Sequence, residues 1–124
     1  MAAPNIVNIS SMIGKTSTTN LATTSATNVL NNAASSGKVL RVTLVRAVNV
    51  DGSAAAGITV SIYSEDDLGG TLSELIQNKS VAASSNYDVV TRDTPIYLQE
   101  DTSLGAAASA GNDIAIIVTY EEIS

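Results

Sequence analysis

Apolar residues recur at every second position over much of the chain, the period of a half-buried β-strand. The pattern is strongest in residues 37–65. There Leu40, Val42, Leu44, Val48 and Val50 share one side, and Arg41, Thr43 and Asn49 share the other. Beyond Asp51, Gly52 and a run of small residues, Ile58, Val60 and Ile62 take one face while Thr59, Ser61 and Tyr63 take the other. Two alternating runs joined by a glycine-containing connection predict one long β-hairpin, around which the rest of the chain is arranged.

The flanking segments are weaker versions of the same pattern. Residues 4–11, with Ile6, Val7 and Ile9, suggest a short first strand or an extended arm. Residues 15–36 are mostly Thr, Ser, Asn and Ala, and Leu21, Val29 and Leu30 are too widely spaced for a helix face. The β-branched runs at 16–19 and 23–27 favour strand there over loop. Residues 33–37 form a turn into the hairpin.

After the hairpin, residues 65–70 read as a polar, glycine-ended loop. Residues 72–81 are the one place where a helix competes with a strand, because Leu72, Leu75 and Ile76 fall at helical spacing. Residues 82–86 are a loop and 87–91 a short strand. Proline lacks the ladder donor, so the strand that carries Ile96 and Leu98 either starts at Pro95 or lies on an edge. Glu100 and Asp101 turn the chain into an alternating run of Leu104, Ala106 and Ala108. The closing run places Ile114, Ile116, Val118 and Tyr120 on one face and Ala115, Ile117 and Thr119 on the other. With both faces apolar in its middle, this strand belongs at the centre of a sheet or against another subunit.

Seven to nine short antiparallel strands with almost no helix describe an all-β protein. The expected architecture is a single-domain β-sandwich of jelly-roll-like form over residues 1–124, with residues 1–36 forming either an extended N-terminal arm or edge strands.

The composition narrows the chemistry. The 124 residues include no histidine, cysteine, phenylalanine or tryptophan, and the net charge is −6. A core built from Ile, Val, Leu and Ala alone leaves a small chain little margin as a monomer, so subunit contacts are expected to supply part of its stability. The six basic residues, Lys15, Lys38, Arg41, Arg46, Lys79 and Arg92, are scattered, which disfavours binding to phosphate backbones. No basic and apolar leader opens the chain and no apolar run reaches the ~20 residues of a membrane span. The expectation is a soluble protein made without a secretory signal.

No motif names a reaction. Gly14, Lys15 and Thr16 imitate the end of a phosphate-binding loop, but Ile9 occupies the position where the first glycine is needed. The absence of histidine removes the usual general base and the commonest ligand for zinc or copper. The carboxylates at 65–67, 100–101 and 121–122 are adjacent in sequence, so in a strand they point to opposite faces and in a turn they face water. Calcium is the one ion such loops could hold, although none matches an EF-hand loop. The expected site therefore has no catalytic residue, cofactor or metal. Four candidates for protein contact stand out: Tyr63 and Tyr97, which fall on the polar phase of their strands, and the basic Arg41 and Arg46.

Several phrases in order carry a resemblance: IGKT at 13–16, AASSGKV at 33–39, NVDG at 49–52, PIYLQEDTSL at 95–104 and the closing YEEIS at 120–124. Together they resemble a family of small virion structural proteins of tailed bacteriophages, especially cyanophages and other marine phages. The resemblance implies a non-enzymatic β-sandwich that is made in the host cytoplasm and built into the virion. Its favoured role is that of a capsid decoration (cement) protein on the outer capsid surface, bridging the major capsid protein and touching other virion proteins. A homo-oligomer is implied, with a trimer favoured, and neither nucleic acid nor membrane is a partner. The alternative within the same virion is a tail, neck or fibre structural or adhesion protein. A third reading, a small hydrolase or carbohydrate-binding domain, lacks the aromatic side chains that usually line a sugar cleft.

Overall fold

A computed structural model describes residues 10–124. In these residues the alternation is realised as nine strands: β1 Met12–Asn20, β2 Thr27–Asn32, β3 Val39–Asn49, β4 Ala56–Glu65, β5 Gly69–Val81, β6 Asn86–Val90, β7 Ile96–Leu98, β8 Thr102–Ala108 and β9 Ile114–Ile123. The expected strand or arm over residues 4–11 lies, up to residue 9, outside the described residues.

The strands form two antiparallel sheets. The first runs β1-β9-β3-β6, with β7 sharing the β6 side of β3; the second runs β2-β8-β4-β5. The pairings nest. β4 pairs with β5, β3 with β6 and β7, β2 with β8, and β1 with β9, as in one long ribbon folded back at the β4-β5 reversal. Rolling the ribbon adds the β3-β9 and β4-β8 pairings and closes it into a jelly-roll sandwich, the expected fold class.

The predicted hairpin over residues 37–65 is not formed. β3 lies in the first sheet and β4 in the second, so the connection after Asn49 crosses between sheets. The apolar faces of the two strands do meet, but across the core. Alternation reports that a face is buried and does not say whether the neighbour lies beside it or opposite it. The actual hairpin is β4-β5, turned by a 3₁₀ turn at Asp66–Leu68.

A β-bulge corrects the predicted face of β3. Val42 pairs with Tyr120 and Leu44 with Thr119, which leaves Thr43 as the extra residue. The bulge reverses the phase. Leu40 and Val42 point into the core, then Val45, Ala47 and Asn49 do, while Leu44 and Val48 are half-buried and Val50 is 59% exposed. Asn49, expected on the polar face, is 1% exposed.

Two buried asparagines secure the crossings at opposite ends of β3. Asn32 Nδ2 donates to the Lys38 and Leu98 carbonyls (3.0 and 2.9 Å), and its Oδ1 accepts from the Ser36 hydroxyl (2.6 Å). Asn49 Nδ2 donates to the Ala54 and Val81 carbonyls, both at 3.0 Å, and its Oδ1 accepts from the Asp51 N–H (2.9 Å). Carbonyls that leave the ladders at a crossing need partners, and these side chains supply them.

Residues 72–81 resolve to strand. Their apolar spacing does not build a helix because β4 offers a free edge, where Ile76 meets Val60 and Leu72 meets Tyr63. The core between the sheets is aliphatic, with Ile58, Val60 and Leu104 from one sheet facing Val42, Val45, Ile114, Ile116 and Val118 from the other. β9 sits inside the first sheet, between β1 and β3.

Candidate protein interface

Cross-strand partners share a face of the sheet, so the register assigns the outer surface of the first sheet row by row. One row reads Gly14, Glu121, Arg41 and Tyr97; the next Thr16, Thr119 and Leu44; the next Thr18, Ile117, Arg46 and Asp88. The fold thus gathers three of the four candidate contact residues, Arg41, Arg46 and Tyr97, onto one surface.

Both candidate arginines on this surface are paired with carboxylates. Arg41 donates to Glu121 at 2.8 Å, and Arg46 grips Asp88 through two hydrogen bonds of 2.7 and 3.2 Å. These bonds hold both guanidinium groups above their ordinary pKa, chiefly through Glu121 and Asp88 respectively. The Arg46 bonds in turn hold the Asp88 carboxyl below its usual value. Thr16 and Thr119 share a hydroxyl contact of 3.2 Å between them. Tyr97 stands beside Arg41 with 48% of its surface exposed. A shallow groove of about 620 Å³ runs across the face, lined among others by Lys15, Thr16, Arg41, Arg92 and Glu121. A bidentate Arg-carboxylate pair is rigid, so the face presents a fixed pattern of donors and acceptors over a floor of Leu44 and threonines.

Glu122 shows the alternation expected of adjacent carboxylates. It turns away from Glu121 and lies 3.1 Å from Lys15 and 3.0 Å from Lys38. The Lys38 contact is the main reason its carboxyl sits below the ordinary range.

Tyr63 is separated from the other three. It belongs to the outer face of the second sheet, where its ring and Leu68 cover Gly105 so closely that a Cβ there would lie 2.8 Å from the ring. A smaller groove of about 190 Å³ beside it is lined by Tyr63, Leu72 and Glu74. Tyr63 therefore spends one side of its ring on its own sheet, whereas Tyr97 keeps nearly half its surface free.

The acidic loops at 65–67 and 100–101 also meet, but their carboxylates face backbone N–H groups. Asp66 accepts from Ala34 (3.2 Å), Asp101 from Asp66 (3.1 Å) and Glu100 from Gly37 (3.0 Å). Among the described residues no group of three or more His, Cys, Asp or Glu could hold a metal ion. Asp66 and Asp101 fasten the β4-β5 reversal to its neighbours, and Glu100 ties the turn before β8 to the turn before β3, roles that solvated turns would not have.

Sequence reasoning missed Glu121 and Asp88, the partners that fix the two arginines. Only the register reveals them, because Arg41 and Glu121 are 80 positions apart. No family model, curated protein or solved structure matches the chain. Among the described residues no helix is long and apolar enough to cross a membrane.

Proposed function

We propose that this chain is a non-enzymatic structural protein of a tailed-phage virion, and that it acts as a decoration (cement) protein on the outer capsid surface. It bridges and stabilises major capsid protein subunits and contacts other virion proteins there. The observation that carries the reading is the outer face of the first sheet. Its arginines are locked to carboxylates in a fixed register, and Tyr97 stands free beside them, which suits a surface made to be touched repeatedly by a rigid neighbour. Many such contacts over a lattice hold firmly without deep anchoring pockets. The resemblance in the turn and strand phrases supplies the virion context, and with it a homo-oligomer.

Counting copies of the polypeptide per purified particle tests the proposal. Hundreds of copies are expected. A few to some tens would move the protein to the tail, neck or fibre, and particles without it would end the reading. Tyr97→Ala combined with Arg41→Ala is expected to lower shell occupancy while leaving the fold intact.

A further inference from the structure

Among the described residues the sandwich leaves the outer edges of β1, β6 and β7 unpaired in the first sheet and those of β2 and β5 in the second. Four of these edges are interrupted or short. β5 has three register shifts against β4, a left-handed Asn78 and an edge lysine, Lys79. β2 has six residues and a shift between Asn28 and Leu30. β6 has five residues and a shift beside Val45, and β7 has only three residues. Bulges, short strands and edge charges are the devices that stop an edge from recruiting another strand.

β1 has none of them except Lys15. Its nine residues pair with β9 in one unbroken register, from Met12 opposite Ile123 to Asn20 opposite Ala115. It contains no proline and one charge. Met12 and Ile13 at its start are 52% and 49% exposed. A long, regular edge with free N–H and C=O groups is a template for strand addition.

We infer that β1 is a self-association edge, on which the β1 of a second copy adds in antiparallel register and joins the two first sheets into one. A second copy is the occupant because the strand complements itself. Full overlap is centred on Thr16 and sets Lys15 opposite Ser17, Gly14 opposite Thr18, Ile13 opposite Thr19 and Met12 opposite Asn20, so no like charges meet. The chain carries −6 overall, yet the only charge in this strip is a cation, already compensated by Glu122 at 3.1 Å. Contact here avoids the repulsion that the acidic surface imposes elsewhere. The pairing is two-fold, whereas the resemblance favours three copies, and it does not depend on the virion reading. One added strand is a small interface, so the dimer is expected to form and dissociate with concentration.

Sedimentation velocity on the full chain across a concentration series tests this. The unmodified protein is expected to shift from monomer to dimer. Thr16→Glu and Thr16→Lys each set like charges across the two-fold and are expected to weaken the dimer at least tenfold. An equal mixture of the two variants is expected to regain it. Thr16 is exposed, and far-UV circular dichroism is the check that each variant folds. Hydrogen exchange on the unmodified protein gives a second reading without any variant, with protection of the outward β1 amides, those not bonded to β9, rising with concentration. A monomer at all concentrations, a trimer, a dimer that survives either substitution, or variants that do not recover on mixing would each overturn the inference. Protection of those outward amides that is independent of concentration would also overturn it, since the chain itself would then be covering the edge.

Discussion

β9 and β5 are both long strands, yet their surroundings are opposite. β9 pairs on both sides, and Ile114, Ile116 and Val118 are almost completely buried. β5 pairs on one side only, and of its 13 residues Val81 alone is buried. The strand that carries the fold is the one whose edges and faces are covered. Stability is thus expected to concentrate in β3, β4, β8 and β9, with β5 contributing mainly at its last residue, where Asn49 holds the Val81 carbonyl.

The largest effect should come from breaking β9. Ile116 is fully buried between Thr19 of β1 and Ala47 of β3. Ile116→Asp places a carboxylate with no partner in the core and is expected to cost more than about 4 kcal/mol, enough to abolish soluble folded protein. A normal thermal melt of that variant would show that β9 is not the central strand.

Asn49→Ala tests the buried end of β5. The Val81 and Ala54 carbonyls and the Asp51 N–H would lose their partner together, at a buried position. Buried groups left unsatisfied cost roughly 1–3 kcal/mol each, so a loss of about 2–4 kcal/mol in urea unfolding is expected after partial relaxation to water. An unchanged unfolding midpoint would mean that Asn49 is a passenger.

Asn49 also marks where the sequence stopped being legible. Strands, turns and the central place of the closing strand follow from alternation and from Pro95, because those signals are local. The crossing of β3 and β4 between sheets does not, since the period is the same for a neighbour beside a strand and one across the core. The bulge at Thr43 is invisible for a related reason: one extra residue reverses every later side chain, and nothing in the run VLRVTLVRAVN announces it. The candidate interface was half legible. Arg41 and Tyr97 were visible as polar-phase residues, but their meeting and the pairing with Glu121 depend on a register between distant segments.

Acid should loosen the molecule at its ion pairs before the β9 core is touched. Asp88 and Glu122 have carboxyl groups held below their ordinary values in the folded protein, by Arg46 and by Lys38 with Lys15. Their contribution is complete above the unfolded carboxylate range near 4 and is lost as pH falls through the lower folded values. Thermal midpoints measured from neutral pH downward should stay level until that range and then decline, and Asp88→Asn should flatten part of the decline. Because both pairs lie near the surface, the change should be smaller than that of Asn49→Ala.

The smallest effect is expected at the middle of β5. Leu75 and Ile76 lie three and four positions after Leu72, so a helical segment would bury all three together, whereas in the strand Leu75 is 38% exposed at an edge paired on one side only. Leu75→Ser should therefore shift the unfolding free energy by no more than about 0.5 kcal/mol. Val81→Ser, only six positions along the same strand but 2% exposed, should cost several times as much. Equal losses at the two positions would erase the contrast between β5 and β9, because the whole of β5 would then be part of the core.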